Sequence, residues 1–121
     1  MQLGERAGLP PADQLRKYAG LGLLEAARRN PRVVVLDGDL GNSTGAHHVK
    51  KAFPERFFNV GIHAANMVGI GAGLASCGYL PFLPSLSSSL FYTAYDQIRP
   101  PVALAVLNVA YLGSHSGIRT A

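Results

Sequence analysis

Asp37 and Asp39 flank a glycine at the start of a polar, glycine-rich run that extends to Gly45. Two carboxylates so close could begin a cation site. A hard cation wants several oxygen ligands, however, and no full set is evident here. His47 and His48 are adjacent. On a helix, neighbouring side chains point about 100° apart, so the pair is expected to face solvent without sharing a metal. His63 and His115 are single histidines near the ends of expected elements. At such places an imidazole can titrate near neutral pH or donate to a phosphate. Cys77 is the only cysteine, which excludes an internal disulfide and a cysteine-based zinc site. Near a helix end it is expected to be a small buried hydrophobe. Gly69, Gly71 and Gly73 fall well inside an expected helix, not in a strand-to-helix turn. They therefore point to close helix–sheet packing and not to a phosphate cradle. No Ser-His-Asp or Cys-His arrangement can be argued from spacing.

The elements that must position these residues alternate. Residues 1–12 form a loose lead-in rich in glycine and proline. Asp13 is placed to cap a helix running to Arg29, with Leu15, Tyr18, Ala19, Leu23 and Ala26 at helical spacing. Asn30-Pro31 stops it. Val33 to Leu36 is a continuous apolar run, as in a strand buried on both faces. A loop from Asp37 to Gly45 follows, then a short helix over 47–53, a strand over 57–60, and a helix over 64–77. Gly78 ends that helix, and a third strand is expected over 79–83. A helix over 86–98 is expected to stop at Pro100-Pro101, before a fourth apolar strand over 102–109. This alternation predicts an α/β fold, a parallel sheet with helices on both faces. It is expected to be incomplete at its C-terminal end, because the chain stops in polar residues just past a strand.

The length suits one domain, over 13–121, and 48% hydrophobic residues permit a packed core. The formal net charge is +4, but the basic residues are scattered and no stacking aromatics interleave with them. Nucleic acid is not an expected partner; attraction of phosphorylated metabolites suits the charge better. No signal region or membrane-length apolar run is present in the sequence, so a cytoplasmic location is expected and a membrane is not.

One stretch is specific. Asn59 to Ala75 contains Gly61-Ile62-His63-Ala64, then Asn66-Met67 and a small-residue helix. Asp37-Gly38-Asp39-Leu40 with Ser43 precedes it, followed by Phe53-Pro54-Glu55-Arg56-Phe57-Phe58; Gly78 to Ser85 and Ala94-Tyr95-Asp96-Gln97-Ile98-Arg99 come after. These ordered blocks resemble the pyrimidine-binding domain of transketolases, over about Leu15 to Ala121. The opening resembles the start of the C-terminal subunit of a two-chain transketolase. The resemblance implies thiamine diphosphate as cofactor. This domain would hold the aminopyrimidine ring. A diphosphate-binding subunit or a second protomer would hold the diphosphate and its Mg ion, so no metal ligand is expected in this chain. Sugar phosphates are the implied substrates, exchanged by ketol transfer. The Asp37-Gly38-Asp39 run is not the magnesium-diphosphate motif of thiamine enzymes, because Leu40 stands where that motif has glycine.

The resemblance also implies site residues, and here the chain departs from the pattern. A buried glutamic acid normally donates to the pyrimidine ring, which promotes deprotonation of the cofactor. Ala64 occupies that position, with His63 before it. His63 is thus a candidate replacement, one residue out of place. The two usual aromatic walls align with Ser87 and Leu90, leaving Phe91 one position off. His115 falls near a family active-site histidine, and Asp39 in the acidic loop near the cofactor pocket. The expected catalytic residues are His63 and His115; the expected cofactor contacts are Asp39, Ala64, Leu90 and Phe91. The chain alone is expected to be inactive. The alternative is a catalytically inactive fragment or paralogue that acts as a binding or scaffold partner.

Overall fold

The computed structural model describes residues 15–116. The 1–12 lead-in and the Asp13 cap lie outside the described residues. Helix α1 (Leu15–Arg29) leads into β1 (Val33–Asp37), then α2 (Gly41–Thr44) and α3 (His47–Ala52). A 3₁₀ turn, Pro54–Arg56, precedes β2 (Phe57–Asn59) and α4 (Ala64–Ser76). Strand β3 (Leu80–Leu86) runs into α5 (Ser87–Thr93) and α6 (Tyr95–Ile98). A π-helical turn, Arg99–Leu104, leads to β4 (Ala110–Ser114).

The four strands form one sheet in the order β2-β1-β3-β4, every pair parallel. All five residues of β1 are buried, which accounts for its unbroken apolar run. Alternate side chains feed two cores on opposite faces. Val33 and Val35 pack with Leu23 and Ala27 of α1 and Val49 of α3. Leu36 and Leu83 pack with Met67, Val68 and Ala72 of α4 and with Leu90, Ala94 and Val102 beyond. The parallel sheet with helices on both faces is as expected from the alternation.

Glycine sets two of the helix contacts. A Cβ on Gly20 would lie 2.7–2.9 Å from the backbone of Gly45, which itself has φ +81°. Helix α1 therefore touches the turn after α2 backbone to backbone. A Cβ on Gly71 would meet the δ carbons of Leu83 at 3.2 and 3.3 Å, so α4 rests closely on β3. Gly69 and Gly73 have open space; of the three glycines expected to pack against the sheet, only Gly71 does.

Strand β3 contains two buried prolines in a central position, where proline is normally excluded. Each is paired on one side only, and its missing N–H faces the side where no ladder runs. Leu80 N–H donates to Arg32 O, so on this strand the even-numbered residues turn toward β1 and the odd-numbered ones toward β4. Pairing with β1 runs from Leu80 to Phe82 and stops; Pro84, next in that series, has no N–H to continue it. Pairing with β4 begins at Phe82, after Pro81. Beyond Phe82, β3 stays paired to β4 but leaves β1.

Five local expectations are corrected. The Asp37–Gly45 run is not all loop: α2 forms within it, closed by left-handed Gly45. The helix expected over 86–98 is broken at Ala94. Pro100-Pro101 does not end the helical path, because the two prolines fall in the first turn of the π-helical segment, where no N–H partner is required. The strand expected over 102–109 is therefore displaced to Ala110–Ser114. Val102 is buried from a helical turn instead. That turn closes with Leu107 N–H on Val102 O and Val106 N–H on Ala103 O, with Val106 at φ +53°. This is the usual glycine position of such a closure. Cys77 is exposed, not buried, because it caps α4 beyond the sheet.

Candidate functional site

In a parallel sheet all carboxyl ends share one edge, and there the loops collect. At the end of β1 the Asp37 carboxylate is buried. It accepts Leu40 N–H and Gly41 N–H, each at 3.2 Å. Burial pushes its pKa above the ordinary carboxylate value, and the two N–H groups oppose that. Asp39 is exposed and left-handed, φ +64°. Its Oδ1 accepts from Asn59 Nδ2 at 3.0 Å, tying the loop after β1 to the end of β2. Asn59 Oδ1 in turn accepts Gly61 N–H at 2.9 Å. A cleft of about 300 Å³ opens between these loops, lined by Asp37, Asp39, Ser43, His47, Lys50 and Asn59 among others.

His47 and His48 do not splay into solvent as expected. Their rings meet at 4.1 Å, half-buried, because His47 Nδ1 is drawn to Gly41 O at 3.2 Å. Burial, followed by the charges of His47 and Lys51, lowers the His48 pKa. Among the described residues no cluster of three or more His, Cys, Asp or Glu could hold a metal.

His63 precedes α4 and is exposed. Its Nδ1 accepts Asn66 N–H at 3.2 Å, so the ring caps the helix. Ala64, the first residue of α4, is half-buried. At the ends of β3 and β4, Ser114 Oγ donates to Ser85 O at 3.1 Å and lies 2.8 Å from His115 Nδ1. His115 is left-handed at φ +57°. Ser87 and Ser116 share a hydrogen bond at 2.7 Å. Phe91 is 48% exposed and tilts against Tyr111 at 6.2 Å. Among the described residues the buried Tyr111 hydroxyl has no hydrogen-bond partner, and burial raises its pKa.

Asp39, His63, Ala64, Phe91 and His115 thus all belong to the carboxyl edge or the helix starts beside it. They do not converge on one point. His63 follows β2 and His115 follows β4, at opposite margins of the sheet. Three strand spacings, about 14 Å, separate those strands. Leu90 has no exposed surface; its side chain is enclosed in the core around Leu36 and Leu83. Sequence reasoning weighed Asp37 only as part of a cation site and set it aside, and it did not single out Asn59 or Ser114. Asn59 joins Asp39 across 20 residues and Ser114 meets Ser85 across 29, so no local spacing marks them.

Ala64 and Phe91 bear on whether this edge suits an aminopyrimidine ring. Phe91 offers an apolar face. Ala64 offers a methyl group, which cannot exchange a proton, and His63 Nδ1 is engaged as the helix cap. The residues present fit apolar contact with such a ring but not proton exchange with it.

Comparison with known proteins agrees with this architecture. The family model for the transketolase pyrimidine-binding domain matches residues 13–121. The chain is 42% identical over 104 residues to a protein of Methanocaldococcus jannaschii named as a transketolase C-terminal section, covering 86% of this chain and 33% of that protein. It is 40% identical to a 6-deoxy-6-sulfo-D-fructose transketolase subunit of a Clostridium strain, covering 79% and 30%. A solved structure described as a split-gene transketolase, in an inactive β4 tetramer, superposes with a TM-score of 0.73 at 40% identity, over 81% of this chain and 33% of that one. The chain spans about a third of the length of these relatives. It belongs to the transketolase family, as a pyrimidine-binding domain.

Proposed function

We propose that the chain contributes the pyrimidine side of a thiamine diphosphate site. A diphosphate-binding transketolase subunit or a second protomer completes that site, and the assembly serves ketol transfer between sugar phosphates. The family match over 13–121 carries this reading. The carboxyl edge supports it with a half-exposed aromatic face at Phe91 and the tied loops at Asp39 and Asn59. When bound, the cofactor supplies the electron sink for carbon–carbon bond exchange. This chain supplies contact and orientation. No proton transfer to the pyrimidine ring is assigned to it, because Ala64 has no proton to give. Mg belongs to the partner's share of the site.

Calorimetric titration of thiamine diphosphate with magnesium tests the reading, on the chain alone and mixed with a diphosphate-binding transketolase subunit. Heat of binding only in the mixture is the expected result. No binding in either sample would overturn it.

Ala64 favours a second reading, a catalytically inactive relative that binds a transketolase-like partner as a scaffold. Replacing Ala64→Glu separates the two. Under the second reading the mixture turns over no ketose phosphate, and the variant gains turnover of about 100-fold or more over that background, the scale of one positioned acid. Undiminished turnover with Ala64 in place would exclude the inactive reading.

A further inference from the structure

We propose that Ser114 is a positioning residue that holds the His115 imidazole with its proton on Nδ1, so that the Nε2 lone pair is the atom presented at the carboxyl edge. The argument is one of proton counting. Ser85 is buried, and its carbonyl oxygen can only accept. Both contacts of the Ser114 hydroxyl are filled at once only when its single proton goes to Ser85 O, 3.1 Å away. What that hydroxyl offers His115 Nδ1, 2.8 Å away, is a lone pair. Only a protonated Nδ1 can fill that contact. The anchor survives protonation of the ring as well, since Nδ1 carries its proton in both forms. Nε2 can therefore accept or release a proton, or accept a hydrogen bond from a bound molecule, while the ring stays fixed.

The backbone supports the same assignment. His115 sits at φ +57°, where a residue with a Cβ is strained. Such strain persists when surrounding contacts over-determine it, and it collects at functional sites. Among the described residues, Asp39, φ +64°, is the other non-glycine residue at this edge with a left-handed backbone; Val106 lies at the opposite end of the sheet. Ser114 is the last residue of β4 and is held by the ladder to Leu86, so the hydroxyl that anchors the ring is itself fixed by the sheet. The purpose of this arrangement rests on the cofactor-site reading above; its geometry does not.

Long-range 1H–15N spectra of the 15N-labelled full chain, without ligand and at a pH where its histidines are neutral, read the tautomer directly. The His115 signals are identified by their loss in His115→Gln. In the parent chain Nδ1 is expected in the protonated, pyrrole-like range and Nε2 in the unprotonated, pyridine-like range. Ser114→Ala should move the majority to the Nε2-protonated form, which unconstrained imidazole side chains favour. Ser114→Thr should retain the parent pattern. An Nε2-protonated parent, or an unchanged tautomer in Ser114→Ala, overturns the proposal. Should Ser114→Ala not fold, the parent and Ser114→Thr spectra decide it, because both must show protonated Nδ1. The measurement needs no cofactor. A failure of thiamine diphosphate binding therefore sinks the functional reading and leaves this one standing, and the reverse also holds.

Discussion

Val106 is a β-branched residue at φ +53°, and it is 88% exposed. Its side chain gains little from burial, while its backbone carries a left-handed cost of about 1–2 kcal/mol. Glycine removes that cost, offset in part by its greater freedom in the unfolded chain. Val106→Gly should raise stability by about 1 kcal/mol and Tm by a few degrees in thermal unfolding. An unchanged or lowered Tm would contradict the closure drawn for this turn. The position also shows why sequence reasoning put a strand there. Val102 to Val109 is apolar but for Asn108, and a short apolar run does not distinguish a strand from a buried helical turn. His63 adds a local role that residue type alone does not announce: its ring caps α4 through one ring nitrogen and one backbone N–H.

The contacts between elements were the least legible part. β1 and α4 could be read from apolar runs and a small-residue pattern, and the parallel sheet followed from their alternation. Nothing local announced that Gly20 and Gly45 touch, because 25 positions separate them and a helical glycine ordinarily signals weakness. Replacing an exposed helical glycine with alanine normally gains up to about 1 kcal/mol. Gly22→Ala, with open space around it, should show that gain. Gly20→Ala should instead lose stability, because its methyl group meets backbone that cannot retreat. Urea unfolding of the two variants checks the contrast; equal effects would refute the close approach. At the second contact, Leu83→Ala should cost about 2–5 kcal/mol. Combining it with Gly71→Ala should cost less than the sum of the single changes, since the new methyl group enters space Leu83 vacates. Strict additivity in that double-mutant cycle would show that α4 does not rest on Leu83.

At the scale of the molecule, one acid links the candidate edge to global stability. Burial raises the Asp37 pKa in the fold. The folded state therefore binds more protons than the unfolded chain across the upper carboxylate range. The Asp37 contribution is fully present below the unfolded pKa and is lost as pH rises through the folded one. Asp37→Asn should remove that part of the fall and leave a flatter stability–pH curve. It should also cost stability at low pH, because an amide replaces one of the two acceptors serving Leu40 and Gly41. Thermal unfolding across the acid range tests both; a slope unchanged by the substitution would contradict the assignment. The prolines of β3 act on the whole sheet in another way. The smallest slip that keeps each side chain on its own face is two residues. Slipping one way brings Pro84 to the place of Phe82 against β1, and slipping the other brings Pro81 to the place of Leu83 against β4. Either error forfeits a ladder bond. The strand is keyed like a plug whose pins admit one seating, and wrong seatings are penalised while the chain is still assembling.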